Sequence, residues 1–307
     1  MNHCHTRVLA LILPLAIAAV ASGVIIDSGD GTGNVTAPSP DPGWANVGTC
    51  NGLSCVYLGD GWVLTANHVG PGDATFGGIP YPWVPGASVR LSNPDTSLAD
   101  LSLFKLAQPF PALPSLSIRT TSPPLGTSLI LIGFGRNRGA ADTWVNPSPP
   151  PATFSGYYWG AGVSQRWGTN SVQDVNAELY EPSFGTRLFG TEFDHTGPGH
   201  TTHESQAAVG DSGGAAFAWN GSSYDLAGTL IGILFFSGQP AETAAYMNAT
   251  LAADLSVYRN EIVNWMPEPA GALWPGAALV AWLARARRRS VSAPSSPGSA
   301  RTSGRAR

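Results

Sequence analysis

The sequence predicts an all-β fold of short antiparallel strands closed by one helix, and three observations predict it. Thirty-seven glycines and 26 prolines in 307 residues interrupt the chain too often for long helices. Between these breaks, short apolar runs recur at Cys55–Leu58, Trp62–Ala66, Ser88–Leu91, Leu101–Leu106, Ser128–Phe134 and Thr229–Phe236. Asp254–Trp265 alone carries a helical period, with Leu255, Tyr258, Ile262 and Trp265 on one face. Many short strands at this spacing suit a sandwich or a barrel, and 43% hydrophobic residues are ample for its core.

The N-terminus sets the compartment. His5 and Arg7 precede an apolar stretch from Val8 to Val20 and the small residues Ala21-Ser22-Gly23, the order of a secretory signal peptide spanning residues 1–23. Cleavage follows Ala21 or Gly23 in this reading. The apolar stretch is short for a membrane span. Residues 24–48 are rich in Gly, Asp, Pro and Thr without an apolar period and read as an extended leader of the mature chain.

Cysteine usage agrees with export. Cys4 falls in the signal peptide, which leaves Cys50 and Cys55. The turn-forming run Asn51-Gly52-Leu53-Ser54 between them can set the two opposite each other on a hairpin, within disulfide range. A bridge is expected; two buried free thiols are the alternative.

Charge excludes one class of function. The formal net charge is −4, yet residues 24–266 hold eight basic against 19 acidic residues, a net −11. Nucleic-acid binding needs clustered Lys and Arg on the folded body, so no nucleic-acid partner is expected.

Three short segments carry chemistry. Gly210-Asp211-Ser212-Gly213-Gly214 places a serine between glycines, where the backbone can turn tightly and converge its N–H groups on a carbonyl oxygen. Trp62-Val63-Leu64-Thr65-Ala66-Asn67-His68-Val69 ends an apolar strand on a histidine that can serve as base. Ala99-Asp100-Leu101-Ser102-Leu103-Phe104-Lys105-Leu106 offers a carboxylate at the mouth of an alternating strand. Taken singly, these are also a glycine hairpin loop, a strand-end histidine and a turn aspartate.

Taken together, in this order, they resemble the chymotrypsin-like serine proteases over roughly residues 44–265. The resemblance implies two six-stranded antiparallel β-barrels with a C-terminal helix: a first barrel over 49–120, and a second barrel with the helix over 121–266. It implies His68 as general base and then acid, Asp100 as its orienter and Ser212 as the acyl-forming nucleophile. The N–H groups of Gly210 and Ser212 would form the oxyanion hole, and Asp211 would pair with a freed apolar N-terminus. Cleavage after Gly23 would expose Val24-Ile25-Ile26 for that role. The segment Leu230–Gly238 resembles the family's substrate-pairing edge. Gln206, Phe236 and Ser237 fall at the primary pocket, and an uncharged Gln206 points to neutral rather than basic substrate side chains. A polypeptide substrate is implied, with no cofactor and no metal.

Departures are visible. Asn67 replaces the family's usual alanine, and Val69 stands where many relatives have a half-cystine. Only 32 residues separate His68 from Asp100, whereas the interval to Ser212 leaves room for an insertion near 136–200. Two rivals remain at this level. One is a catalytically silent protease-like binding module. The other is a metal-dependent hydrolase using Asp194, His195, His200, His203 and Glu204; His203 could alternatively enter the primary pocket and favour acidic substrates.

The C-terminus resembles the PEP-CTERM sorting signal of Gram-negative bacteria over 267–289: Pro267-Glu268-Pro269, an apolar run from Ala270 to Ala284, then Arg285 and Arg287-Arg288-Arg289. The resemblance implies an exosortase-type processing enzyme, transient membrane attachment through 270–289, and a place in the cell envelope or outside the cell. Residues 290–307 read as a disordered basic tail.

Overall fold

A computed structural model of the chain describes residues 23–146, 152–181 and 184–266. Most of the expected signal peptide, the sorting segment 267–289 and the tail 290–307 lie outside the described residues. Among those residues no helix is long and apolar enough to cross a membrane.

The all-β expectation holds. One sheet joins seven antiparallel strands from the N-terminal half, in the spatial order Ile79–Tyr81, Ala74–Phe76, Val47–Cys50, Leu53–Gly59, Trp62–Ala66, Leu98–Leu106 and Trp83–Ser92. A second joins Arg166–Ser171, Ser128–Gly133, Ala215–Trp219, Tyr224–Leu234, Ala249–Asp254, Phe184–Glu192 and Asp174–Glu181. Each has one strand more than the six expected. In the first sheet the addition is the hairpin through Gly77–Gly78, both at positive φ. In the second it is Asp174–Glu181, an edge strand paired only with Phe184–Glu192.

Apolar side chains explain the strand limits. Val63, Leu64, Leu101 and Leu103 are fully buried in the first sheet, as are Ile132, Ala215 and Phe217 in the second. The helix Leu255–Trp265 follows directly on the last strand, and the Asp254 carboxylate accepts the Ser256 N–H at 3.0 Å. Leu255, Tyr258 and Ile262 face inward, but Trp265 is exposed because the helix ends there, one turn beyond its last buried contact.

Three expectations change. The Cys50–Cys55 bridge is not formed. Asn51 and Gly52, both at positive φ, make a two-residue turn that pairs Cys50 with Leu53 and Cys55 with Gly48. The thiols therefore sit diagonally rather than opposite one another, and both are buried and free. Residues 24–48 are not a loose leader at their start. Val24, Ile25 and Ile26 are buried in the core, and Ile25–Ile26 pairs with Ser205–Gln206. The insertion near 136–200 takes the form of a long hairpin, Arg136–Asn146 with Ala152–Val163, whose second strand also pairs with Thr243–Ala245.

Candidate active site

His68 lies just past the strand Trp62–Ala66, in a turn closed by the Val69 N–H donating to the Ala66 carbonyl at 3.0 Å. That strand pairs with Leu98–Leu106, whose third residue is Asp100. The pairing sets the carboxylate under the imidazole. His68 Nδ1 lies 2.7 Å from Asp100 Oδ2, and the His68 backbone N–H donates to Oδ1 at 2.9 Å. Both carboxylate oxygens are thus committed to one residue. With Nδ1 facing a carboxylate, the imidazole carries its proton there and turns Nε2 outward as an acceptor.

Burial differs sharply within the pair. The Asp100 side chain is 3% exposed and that of His68 is 41% exposed, so a screened carboxylate holds a ring still open to a substrate. The hydrogen bond to Asp100 raises the His68 pKa above 6.5, against the opposing effect of partial burial. Asp100 is itself braced from the other sheet: its N–H donates to Thr186 Oγ1 at 2.9 Å.

Ser212 is half-buried in a loop held to the first sheet by Ser54. The Ser54 N–H donates to the carbonyls of Gly210 and Ser212, each at 3.0 Å. Its Oγ donates to the Gly210 carbonyl at 2.7 Å and accepts the Phe134 N–H at 2.8 Å. Thr65 Oγ1 in turn donates to the Ser54 carbonyl at 2.8 Å. Position 213 must be glycine: its φ is +86°, and a Cβ there would lie 2.0 Å from the Ser54 carbonyl oxygen and 2.2 Å from Thr65 Oγ1. The loop at Ser212 therefore packs against Thr65, three residues before His68. Among the described residues the N–H groups of Gly210 and Ser212 have no partner, whereas the neighbouring Asp211 N–H is bound to Ala208 O at 3.1 Å. Two free donors around a serine are what an oxyanion requires.

Asp211 points the other way and is fully buried. Its Oδ2 accepts the Ala208 N–H at 2.7 Å, and its Oδ1 is buried without a partner. Burial pushes its pKa up to about 7. Arg166, 1% exposed, is held down to about 10 by its own burial and supplies positive charge toward Asp211. Gly23 approaches this group through Gly133. A Cβ on Gly23 would lie 2.3 Å from the Gly133 carbonyl oxygen, and a Cβ on Gly133 would lie 2.1 Å from Asp211 Oδ1.

A cavity of about 150 Å³ opens beside Ser212, lined by Trp159, Ala207, Ala208, Leu230, Ile233 and Phe235 among others. Gln206, Phe236 and Ser237 are not part of that lining. Gln206 is drawn beneath the wall by its pairing with Ile25 and is fully buried. The strand ends at Leu234, after which Phe236 turns to stack on Phe154 and Ser237 is exposed; Phe235 takes the pocket position. Pairing to Ala215–Trp219 stops at Thr229, so Ile231–Leu234 keeps one edge without a neighbouring strand among the described residues.

In the His195–Glu204 segment each histidine, and Glu204, has its own partner. His195 lies against the Tyr246 ring at 4.3 Å, His200 Nε2 faces Asp27 at 3.5 Å, and His203 Nδ1 faces Ser28 at 3.0 Å. Glu204 is buried and accepts the N–H groups of Thr201 and Asp194. No group of three or more His, Cys, Asp or Glu placed to hold a metal ion occurs among the described residues. His203 stands over Trp167, not in the pocket.

Sequence reasoning missed Ser54, Thr65, Thr186 and Trp159. Thr65 precedes the histidine by three and could be suspected of packing. The other three act through pairings distant in sequence and leave no local signal.

The family model described as Trypsin matches residues 45–259. Among solved structures, the inactive form of an alanine mutant of Rv3671c from M. tuberculosis H37Rv is similar at 14% identity and a TM-score of 0.45, covering 77% of this chain and 100% of that one. The active form of the Rv3671c protease gives 14% identity and a TM-score of 0.43, covering 71% and 75%. No curated protein matches the chain.

Proposed function

The chain belongs to the trypsin family of serine proteases, and from that premise we propose that it is an exported endopeptidase using Ser212, His68 and Asp100. The observation that carries the proposal is the imidazole of His68, held at its side chain and its backbone by one buried carboxylate. The nucleophile loop is packed three residues away.

Ser212 Oγ attacks the scissile carbonyl while His68 Nε2 removes its proton. The negative oxygen is held by the N–H groups of Gly210 and Ser212. The C–N bond then breaks, His68 returns the proton to the leaving amine, and an acyl-enzyme on Ser212 remains. Water, deprotonated by His68, releases the acid and restores the serine. Asp100 stabilises the imidazolium. The unpaired edge at Ile231–Leu234 receives the peptide as an added strand. A pocket without an ionised lining residue favours neutral side chains at the residue preceding the cleaved bond, since a buried unpaired charge is costly.

The same reading makes export the activating event. Release of an amino group near Gly23 would give the unpartnered Oδ1 of Asp211 a cation and order the adjacent donors. N-terminal sequencing of active material tests this; a start well downstream of Ile26 would sink it. The apolar and arginine-rich segment after Trp265 supports sorting to the cell envelope with processing by an exosortase-type enzyme.

The test of function is covalent labelling by a fluorophosphonate together with hydrolysis of unstructured polypeptide. Both are expected of the wild type and neither of Ser212→Ala. A folded wild type that does neither would make the chain a silent binding module.

A further inference from the structure

The hairpin Arg136–Asn146 with Ala152–Val163 is tied at its base to the segment before the Ser212 loop, the Arg136 N–H donating to the Val209 carbonyl at 2.9 Å, and it brings a tryptophan to the primary pocket. Trp159, on its second strand, lines the cavity beside Ser212. Its ring meets Phe235 across that cavity's rim, with centroids 6.2 Å apart. A second contact repeats the arrangement farther out: Phe154 of the same strand stacks on Phe236 at 4.5 Å. The hairpin is therefore fastened by two aromatic contacts to the segment that follows the substrate-pairing edge, and its place is further set by pairing with Thr243–Ala245. The Trp159 indole N–H is buried without a hydrogen-bond partner, so packing alone orients the ring. That packing includes the apolar cluster of Ile25, Phe193, Ala208 and Ala244.

We propose that Trp159 is the specificity-determining residue of the primary pocket, closing it to side chains larger than a single six-membered ring. The inference rests on the peptidase reading above and adds to it the substrate class. A volume of about 150 Å³ accommodates a benzene-sized group, and the cavity beside Ser212 has that volume. Apart from Ser212, the remaining lining is uncharged and apolar: Ala207, Ala208, Leu230 and Ile233 among others, with Phe235. The substrate residue before the cleaved bond is therefore leucine, methionine or phenylalanine in preference to tryptophan, lysine or arginine. Because the indole lines the pocket from a separate hairpin, removing it enlarges the pocket without touching the nucleophile loop.

The test compares wild type, Trp159→Ala and Trp159→Phe, each recovered after export, on peptides varied at that one residue, with fluorophosphonate labelling as a separate readout. Wild type is expected to cleave after leucine, methionine and phenylalanine. Trp159→Ala should still label, and should raise kcat/KM for tryptophan relative to leucine on the order of tenfold or more. Trp159→Phe, which retains a packed ring, should shift the same ratio less and keeps the test available if the alanine variant does not fold. A labelled variant with an unchanged profile overturns the role of Trp159 and leaves the peptidase standing. A wild type that neither labels nor cleaves overturns both.

Discussion

Ser54→Ala tests how the nucleophile loop is held. The hydroxyl makes two hydrogen bonds, to the Gly210 carbonyl at 2.7 Å and from the Phe134 N–H at 2.8 Å. Losing the first leaves Gly210 O with the Ser54 N–H at 3.0 Å, so that acceptor is not orphaned. Losing the second strands a part-buried N–H, at a cost of about 1–3 kcal/mol. A net loss of about 2 kcal/mol follows, equivalent to a fall in Tm of roughly 4–8 °C for a domain of this size. The loop also loses one of the two clamps on the peptide unit between its oxyanion donors. Removal of a whole donor costs on the order of 10²–10³ in kcat, so partial loosening should cost about tenfold with KM little changed. Denaturant unfolding and steady-state kinetics on the same preparation measure both. Lowered stability with unchanged kcat would refute the link between Ser54 and the oxyanion hole.

Asp100→Asn removes the main cause of the raised His68 pKa. The base acts when neutral, so kcat/KM climbs as pH rises through that value; in the variant burial acts unopposed, so this limb should shift down, with a loss on the order of 10⁴ in kcat. A pH–rate profile reads both effects. Glu204, buried and pushed from 4.5 up to about 7, binds its proton more tightly in the folded chain, so its share of stability is lost as pH rises between those values. Glu204→Gln should flatten that decline by up to about 1.4 kcal/mol per pH unit, seen in urea midpoints from pH 4 to 8. Cys50 and Cys55 should each take up iodoacetamide in denaturant without reductant and resist it when native. A mass two protons low with no alkylation would restore the bridge.

What the sequence made legible was whatever has a local signature. The loop at Ser212, the strand ending on His68 and the strand opening at Asp100 each announce themselves within eight residues, and the Asn51-Gly52 turn could have been read the same way. Had the turn been taken as two residues long, the diagonal placement of the cysteines would have followed. The strand Ile25–Ile26 has no local signature, because three apolar residues show no period and their burial depends on Ser205–Gln206, some 180 positions later. The pocket was misplaced for a related reason. Gln206 leaves the lining because its pairing with Ile25 draws it under the wall, and on the other side the strand ends at Leu234, so Phe236 turns away to stack on Phe154. Trp159 enters from an insertion that no offset from a motif can locate.

The central claim is a covalent acyl-enzyme on Ser212. Brief reaction with an activated ester, acid quenching and peptide mapping by mass spectrometry should find one acyl adduct on the peptide containing Gly210–Gly214, absent from Ser212→Ala and slow to form in His68→Ala. Folded wild-type protein carrying no adduct, or carrying it on another residue, would contradict the account.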